Sequence, residues 1–111
     1  MPRDDATVLD IIKAARLASQ FVHGMDKSAF LFDLKTQSAV VFQLLVIGEA
    51  TKRLSPEFRA RNSQVPWTQI AGMRDHLIHG YDSIDLDEVW DSIIRDMPPL
   101  LASLNPLVPE E

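Results

Sequence analysis

The segment Gly72–Tyr81, GMRDHLIHGY, gathers an arginine, an aspartate, two histidines and a tyrosine into one short stretch. These are groups suited to phosphate chemistry. A guanidinium grips a phosphate through two parallel N–H donors. An imidazole exchanges protons near neutral pH. A phenol donates a hydrogen bond or serves as a nucleophile. Arginine, histidine and tyrosine without a metal-ligand pattern form the inventory of a metal-independent ribonuclease. One group deprotonates the ribose 2′-OH, another protonates the leaving oxygen, and arginine stabilises charge on phosphorus.

Spacing constrains how these groups cooperate. Asp75 and His79 are four apart and stack on one side of a helix, where the carboxylate can fix the ring tautomer. Arg74 and His79 are five apart, which on a regular helix separates their directions by about 140°. One straight helix therefore cannot aim both at one atom. Either the helix frays at His79–Gly80, or two copies of the chain face each other across a shared pocket, which predicts a homodimer. Arg74 and Tyr81, seven apart, return to nearly the same face. Each residue also has an ordinary structural role open to it. His79 can complement a helix dipole, His76 can sit on the surface, Arg74 can pair with Glu49 or a neighbouring acid, and Tyr81 can be a core aromatic. A metal site from Asp75, His76, His79 and Asp82 lacks any supporting His-Glu-x-x-His or Glu-x-x-His pattern, so neither metal nor cofactor is expected.

The elements that must position this stretch are helical. Asp4 or Asp5 can cap a first helix with the stripe Val8, Ile11, Ile12, Ala15, Ala18 and Val22, closed by Gly24. Asp26 opens a second element, broken near Asp33–Leu34 and resuming from about Thr36 to Leu54. Its segment AVVFQLLVIGEA is apolar on nearly all sides, as for a central helix or one buried against a second subunit. Ser55-Pro56-Glu57 is an N-cap, a first-turn proline and a first-turn acid, starting one or two turns to about Arg61. Pro66 starts the helix carrying the motif, with Trp67, Ile70, Ala71, Leu77 and Ile78 as its buried face and Gly80 as its end. Asp85-Leu86-Asp87-Glu88 is a capping box. The helix it opens buries Val89, Trp90, Ile93, Ile94, Met97, Leu100, Leu101 and Leu104, with a kink at Pro98–Pro99. The expected fold is an all-α, antiparallel bundle of four to five helices over residues 1–104, with 105–111 a short polar tail.

Composition sets the outer bounds. The 111 residues allow a single domain, and 46% hydrophobic with 24% charged residues is a normal globular balance. The absence of cysteine excludes disulfides and thiolate chemistry and fits a reducing cytoplasm. The N-terminal MPRDDATVLD carries acids where a signal peptide has its basic and apolar regions. The longest apolar run, Ala39 to Gly48, is interrupted by Gln43 and is too short to span a membrane. Net charge is −5, which argues against coating nucleic acid by bulk attraction. Any RNA footprint must be local, and Lys52, Arg53, Arg59 and Arg61 are the basic cluster available. Asp82, Asp85, Asp87, Glu88, Asp91 and Asp96 form an acidic counterpart. Either run equally reads as a solvated helix face.

Arg74, His79 and Tyr81 reproduce an R-x4-H-x-Y signature, and with it the chain resembles the HepT-like proteins of the HEPN superfamily of helical ribonucleases. VIGEA (Val46 to Ala50), LSPEF (Leu54 to Phe58), VPW (Val65 to Trp67) and VW (Val89–Trp90) fall in the family's order and approximate spacing. The resemblance thus covers most of the chain. It implies a HEPN-type bundle and an endoribonuclease toxin of a toxin-antitoxin pair, a homodimer whose two motifs line an RNA-cutting cleft. It implies Arg74 and His79 as the catalytic residues, with Asp75, the polar residue after the arginine, in support. It further implies a partner, a minimal nucleotidyltransferase antitoxin of the MntA type, which moves AMP onto Tyr81. A bulky anion there would occupy the cation meant for RNA phosphate. The alternative reading is a non-catalytic helical module that binds a nucleotide near Arg74 and serves as accessory subunit of such a nucleotidyltransferase.

Overall fold

The computed structural model describes residues 2–80 and 82–108. Two long helices form its spine. α1 (Pro2–Phe21) lies along α3 (Leu34–Lys52) in the most extensive helix pair of the molecule. The apolar stripe of α1 is buried as its spacing requires, from Val8 through Ile11, Ile12, Ala15 and Ala18 to Val22. Gly24, at φ 80°, takes the left-handed conformation that ends the helix. α1 starts earlier than expected: Asp4 and Asp5 lie within its first turn instead of capping it.

α2 (Lys27–Leu31) and α3 begin at side-chain caps, Asp26 accepting from Ala29 N–H at 2.8 Å and Asp33 from Thr36 N–H at 3.0 Å. Asp33 therefore marks the expected break, and α3 starts two residues sooner than the sequence reading placed it. α3 buries one face, with Val40, Leu44 and Ile47 in the core, while Phe42 remains 60% exposed. The segment Ala39 to Ala50, apolar on nearly all sides, is thus left partly uncovered by its own chain.

α4 (Pro56–Arg61) opens on Ser55, whose Oγ accepts from Phe58 N–H. The corner into α5 (Trp67–Ala71) is pinned by Trp67, whose indole N–H donates to the Asn62 carbonyl at 2.9 Å and whose ring packs on Phe58. α6 (Met73–Leu77) follows after Gly72, and a two-stranded antiparallel hairpin, β1 (Ile78–Gly80) with β2 (Ser83–Ile84), follows α6. The hairpin was not expected. The motif helix ends at Leu77 and not at Gly80, because β-branched Ile78 turns extended and pairs with β-branched Ile84.

α7 (Leu86–Asp91) is capped by Asp85, which accepts from Glu88 N–H. It runs through a π-helical turn (Ser92–Asp96) into α8 (Met97–Leu104). Pro98 and Pro99 lack the N–H groups that would close α-helical bonds to the carbonyls of Ile94 and Arg95, so the helix widens just ahead of them. The extra residue per turn rotates the register and leaves Ile94, expected in the core, 49% exposed. Residues 105–108 are not a free tail. Asn105–Leu107 form a 3-10 turn, Leu107 and Val108 pack against the core, and Asn105 Oδ1 accepts from Arg16. The described part is an all-α bundle with one small hairpin.

Candidate active site

The motif sits where helix gives way to hairpin. Gly72 (φ −86°, ψ 0°) bends the chain between α5 and α6 while keeping the bonds from its own N–H to Thr68 and from His76 N–H to its carbonyl. Met73 and Leu77 turn inward and are buried, so Arg74, Asp75 and His76 necessarily face out. After Leu77 the chain extends. Asp85 N–H donates to the Leu77 carbonyl at 3.0 Å, which closes the base of the hairpin and ties the end of α6 to the cap of α7.

Arg74 leaves α6 beside α3. Its side chain is 43% exposed and its Nη1 lies 3.1 Å from Asp75 Oδ1, so its partner is the neighbouring acid and not Glu49, which pairs with Lys52 at 3.6 Å. A surface ion pair of this kind is weak and gives way readily to a phosphate. His79 is exposed in β1. The helical stacking of Asp75 under His79 therefore does not form, since the helix stops two residues before the imidazole. His76 is exposed on α6, with Nε2 3.6 Å from Glu88 Oε2. Tyr81 lies outside the described residues.

The remaining expected residues separate into two groups. Lys52 is one turn beyond Gly48 on α3, and Gly48 is the residue against which Arg74 rests. Arg53 follows it, exposed, and Arg59 (half-buried) and exposed Arg61 lie on α4. The acidic run is largely spent on structure: Asp85 caps α7, Asp87 pairs with Lys27 at 2.9 Å, and Glu88 approaches His76. Among the described residues no group of three or more carboxylates and imidazoles is placed to hold a metal ion.

One positioning residue escaped the sequence reading. A Cβ built on Gly48 would stand 3.6 Å from the Ala71 carbonyl oxygen and 3.7 Å from Arg74 Cβ. At Gly48, α3 passes the motif segment with room for a methyl group and no more than ordinary contact around it. The signal was present, since a glycine inside an apolar helix marks a close contact.

The ribonuclease HepT-like family matches residues 11–107. "Probable ribonuclease HepT" of Thermococcus cleftensis is 37% identical over 98 residues, 88% of this chain and 89% of the relative. A "Putative RNase" of Methanocaldococcus jannaschii is 37% identical over 110 residues, 97% of this chain and 91% of the relative. Another, from Caldanaerobacter subterraneus subsp. tengcongensis, is 36% identical over 101 residues, 91% of this chain and 90% of the relative. No solved structure matches. The chain belongs to the ribonuclease HepT-like family.

Proposed function

We propose that this protein is a metal-independent endoribonuclease, the toxin of a cytoplasmic toxin-antitoxin pair, with Arg74 and His79 as its catalytic residues. The observation that carries the reading is the exposure of both groups at the helix-to-hairpin junction, in a chain whose relatives are named as ribonucleases. A core histidine or a buried structural arginine would have been covered. His79 acts as base on the ribose 2′-OH, whose oxygen attacks phosphorus. The bond to the 5′ oxygen breaks, a protonated imidazole supplies that oxygen's proton, and a 2′,3′-cyclic phosphate and a 5′-hydroxyl result. Arg74 exchanges Asp75 for the phosphate and stabilises its developing charge. Lys52, Arg53, Arg59 and Arg61 extend the cationic track along the RNA backbone.

Arg74 and the imidazole that works with it come most simply from two copies of the chain, since one lies on α6 and the other on the hairpin. Leu34, Ser38, Val41, Phe42 and Leu45 form one stripe of α3, continued by Ile84 of the hairpin. This apolar strip leads along α3 toward Gly48 and Arg74. A homodimer closed over it by a two-fold axis brings two motifs to one cleft. Regulation follows from the same geometry. AMP transferred from ATP to the Tyr81 hydroxyl by an MntA-type nucleotidyltransferase, with pyrophosphate as the leaving group, adds a phosphate close in sequence to Arg74 and His79 and blocks RNA phosphate.

The test is cleavage of a mixed RNA in EDTA by protein whose intact mass shows no nucleotide adduct. Cleavage in chelator, reduced at least about 100-fold in Arg74→Ala and in His79→Ala, is the expected result. Cleavage that needs added metal, or that survives both substitutions, overturns the assignment.

A further inference from the structure

Behind the motif lies a second feature that RNA cleavage does not use. A cleft of about 590 Å³ opens between the α5–α6 segment and the bent helix formed by α7, the π turn and α8. Its size is that of sites that hold small organic molecules. The floor is apolar, built from Val65, Ile70, Met73, Met97 and Leu100, all buried. The polar groups on its walls are Gln69, His76, Ser92, Asp96 and Ser103, and neither lysine nor arginine lines it.

The π turn is what shapes the far wall. Ser92 and Met97 are five residues apart, and on a regular α-helix they would diverge by about 140°. A turn closed one residue later brings them to the same side, and both face the cleft. Asp96, at the end of that turn, is exposed and makes no ion pair among the described residues. Glu88, close to His76, adds a second negative charge near the mouth. An anion is disfavoured in such a place, and a molecule with an apolar body and a cationic N–H donor is favoured.

We infer that this cleft binds a small organic cation, an aromatic or aliphatic amine or amidine, with its apolar part over Met73 and Leu100, above the fully buried Met97, and its charged end at Asp96. The site is independent of the ribonuclease reading and stands even for a chain that cuts no RNA. It adjoins the motif, because Met73 and His76 belong to the same short helix as Arg74.

Methionine methyl groups report on it directly. Met73 and Met97 line the cleft, whereas Met25 packs elsewhere against the core. In protein labelled with ¹³C at the methionine methyls, benzamidine is expected to shift Met73 and Met97 saturably and leave Met25 in place. Benzoate, of the same shape and opposite charge, is expected to bind at least about fivefold more weakly. Asp96→Asn, at an exposed position, is expected to keep the Met25 signal and erase the preference for benzamidine. Equal shifts from benzamidine and benzoate, movement of Met25 alongside the others, or an undiminished preference in Asp96→Asn would each overturn the inference. So would an amphipathic Leu/Lys helical peptide that moves the same methyls when benzamidine does not, since the cleft would then be a protein-docking groove.

Discussion

Gly48 and Arg74 meet where α3 passes the motif segment: a Cβ placed on the glycine would lie 3.7 Å from Arg74 Cβ, with the Ile70 and Ala71 carbonyl oxygens at 3.8 and 3.6 Å. Those are ordinary contact distances, so one methyl group fits. Gly48→Ala is expected to raise stability by about 0.5–1 kcal/mol, because alanine restricts the unfolded chain and suits a helix interior. Gly48→Val adds branches that must push the motif segment away, at a cost of about 1–3 kcal/mol, and should lower RNA cleavage by shifting Arg74. Urea unfolding of the two variants decides it. A valine variant as stable as the parent would mean the approach is looser than these distances state.

Asp4 is buried, 2% exposed, and its carboxylate accepts from Ser55 N–H at 2.9 Å and from Ser55 Oγ at 2.7 Å. Ser55 in turn caps α4, so one residue joins the start of α1 to the start of α4 across 51 residues of chain. The backbone bond from Ser55, and then its hydroxyl, hold the Asp4 carboxyl below its ordinary value of 3.8. A carboxylate whose folded pKa is lowered stabilises the fold fully above its unfolded pKa and loses that contribution as pH falls through the folded value. Asp4→Ala should cost about 1–3 kcal/mol at pH 7, because it leaves the Ser55 donors unsatisfied. The gap between parent and variant should close as the solution is acidified below pH 3.8. Unfolding curves at neutral and acid pH measure the gap. A difference that does not change with pH would assign the cost to packing alone.

Phe42 is 60% exposed in a segment of α3 that is apolar on nearly all sides. Because its own chain barely covers it, Phe42→Asp should change the thermal midpoint of an isolated monomer little, by an amount typical of surface sites. If a second copy covers the Phe42–Ile84 strip, the same substitution buries a charge in that interface and separates the copies. Light scattering should then give a monomer where the parent gives a dimer, with cleavage lost and the helical circular dichroism retained. A variant that stays dimeric moves the interface elsewhere on the surface.

The parts of this fold that were legible in the sequence are the local ones. The caps at Asp26, Ser55 and Asp85 act through bonds to residues three positions on, and the α1 stripe follows from helical periodicity alone. What escaped depends on distant partners. Ile78 leaves the helix because Ile84 is there to pair with it, and Asp4 goes inward because Ser55 is there to receive it. The exposure of Ile94 follows from a π turn, which shifts the register that a period of 3.6 assumes. At the site, the motif's residue types were readable. The placement of His79 was readable only as one of two alternatives, an end of the helix at His79–Gly80; the hairpin ends it at Leu77 and moves His79 out of the helical stack with Asp75.

That displacement sharpens a last prediction about how the two proposed catalytic groups cooperate. With Arg74 on α6 and His79 on the hairpin, a cleft shared by two copies can combine the arginine of one with the imidazole of the other. Arg74→Ala and His79→Ala homodimers should each be inactive. Mixed after partial unfolding and refolding, they assort at random, and about half the dimers carry one variant of each kind. Each mixed dimer retains one intact arginine on one copy and one intact histidine on the other, so cleavage should reappear at a fraction of the parent rate. The Phe42→Asp background should abolish this rescue. A mixture as silent as its components would show that each copy assembles its own site and that the shared cleft is unnecessary, and rescue that persists in the Phe42→Asp background would move the shared cleft to another surface.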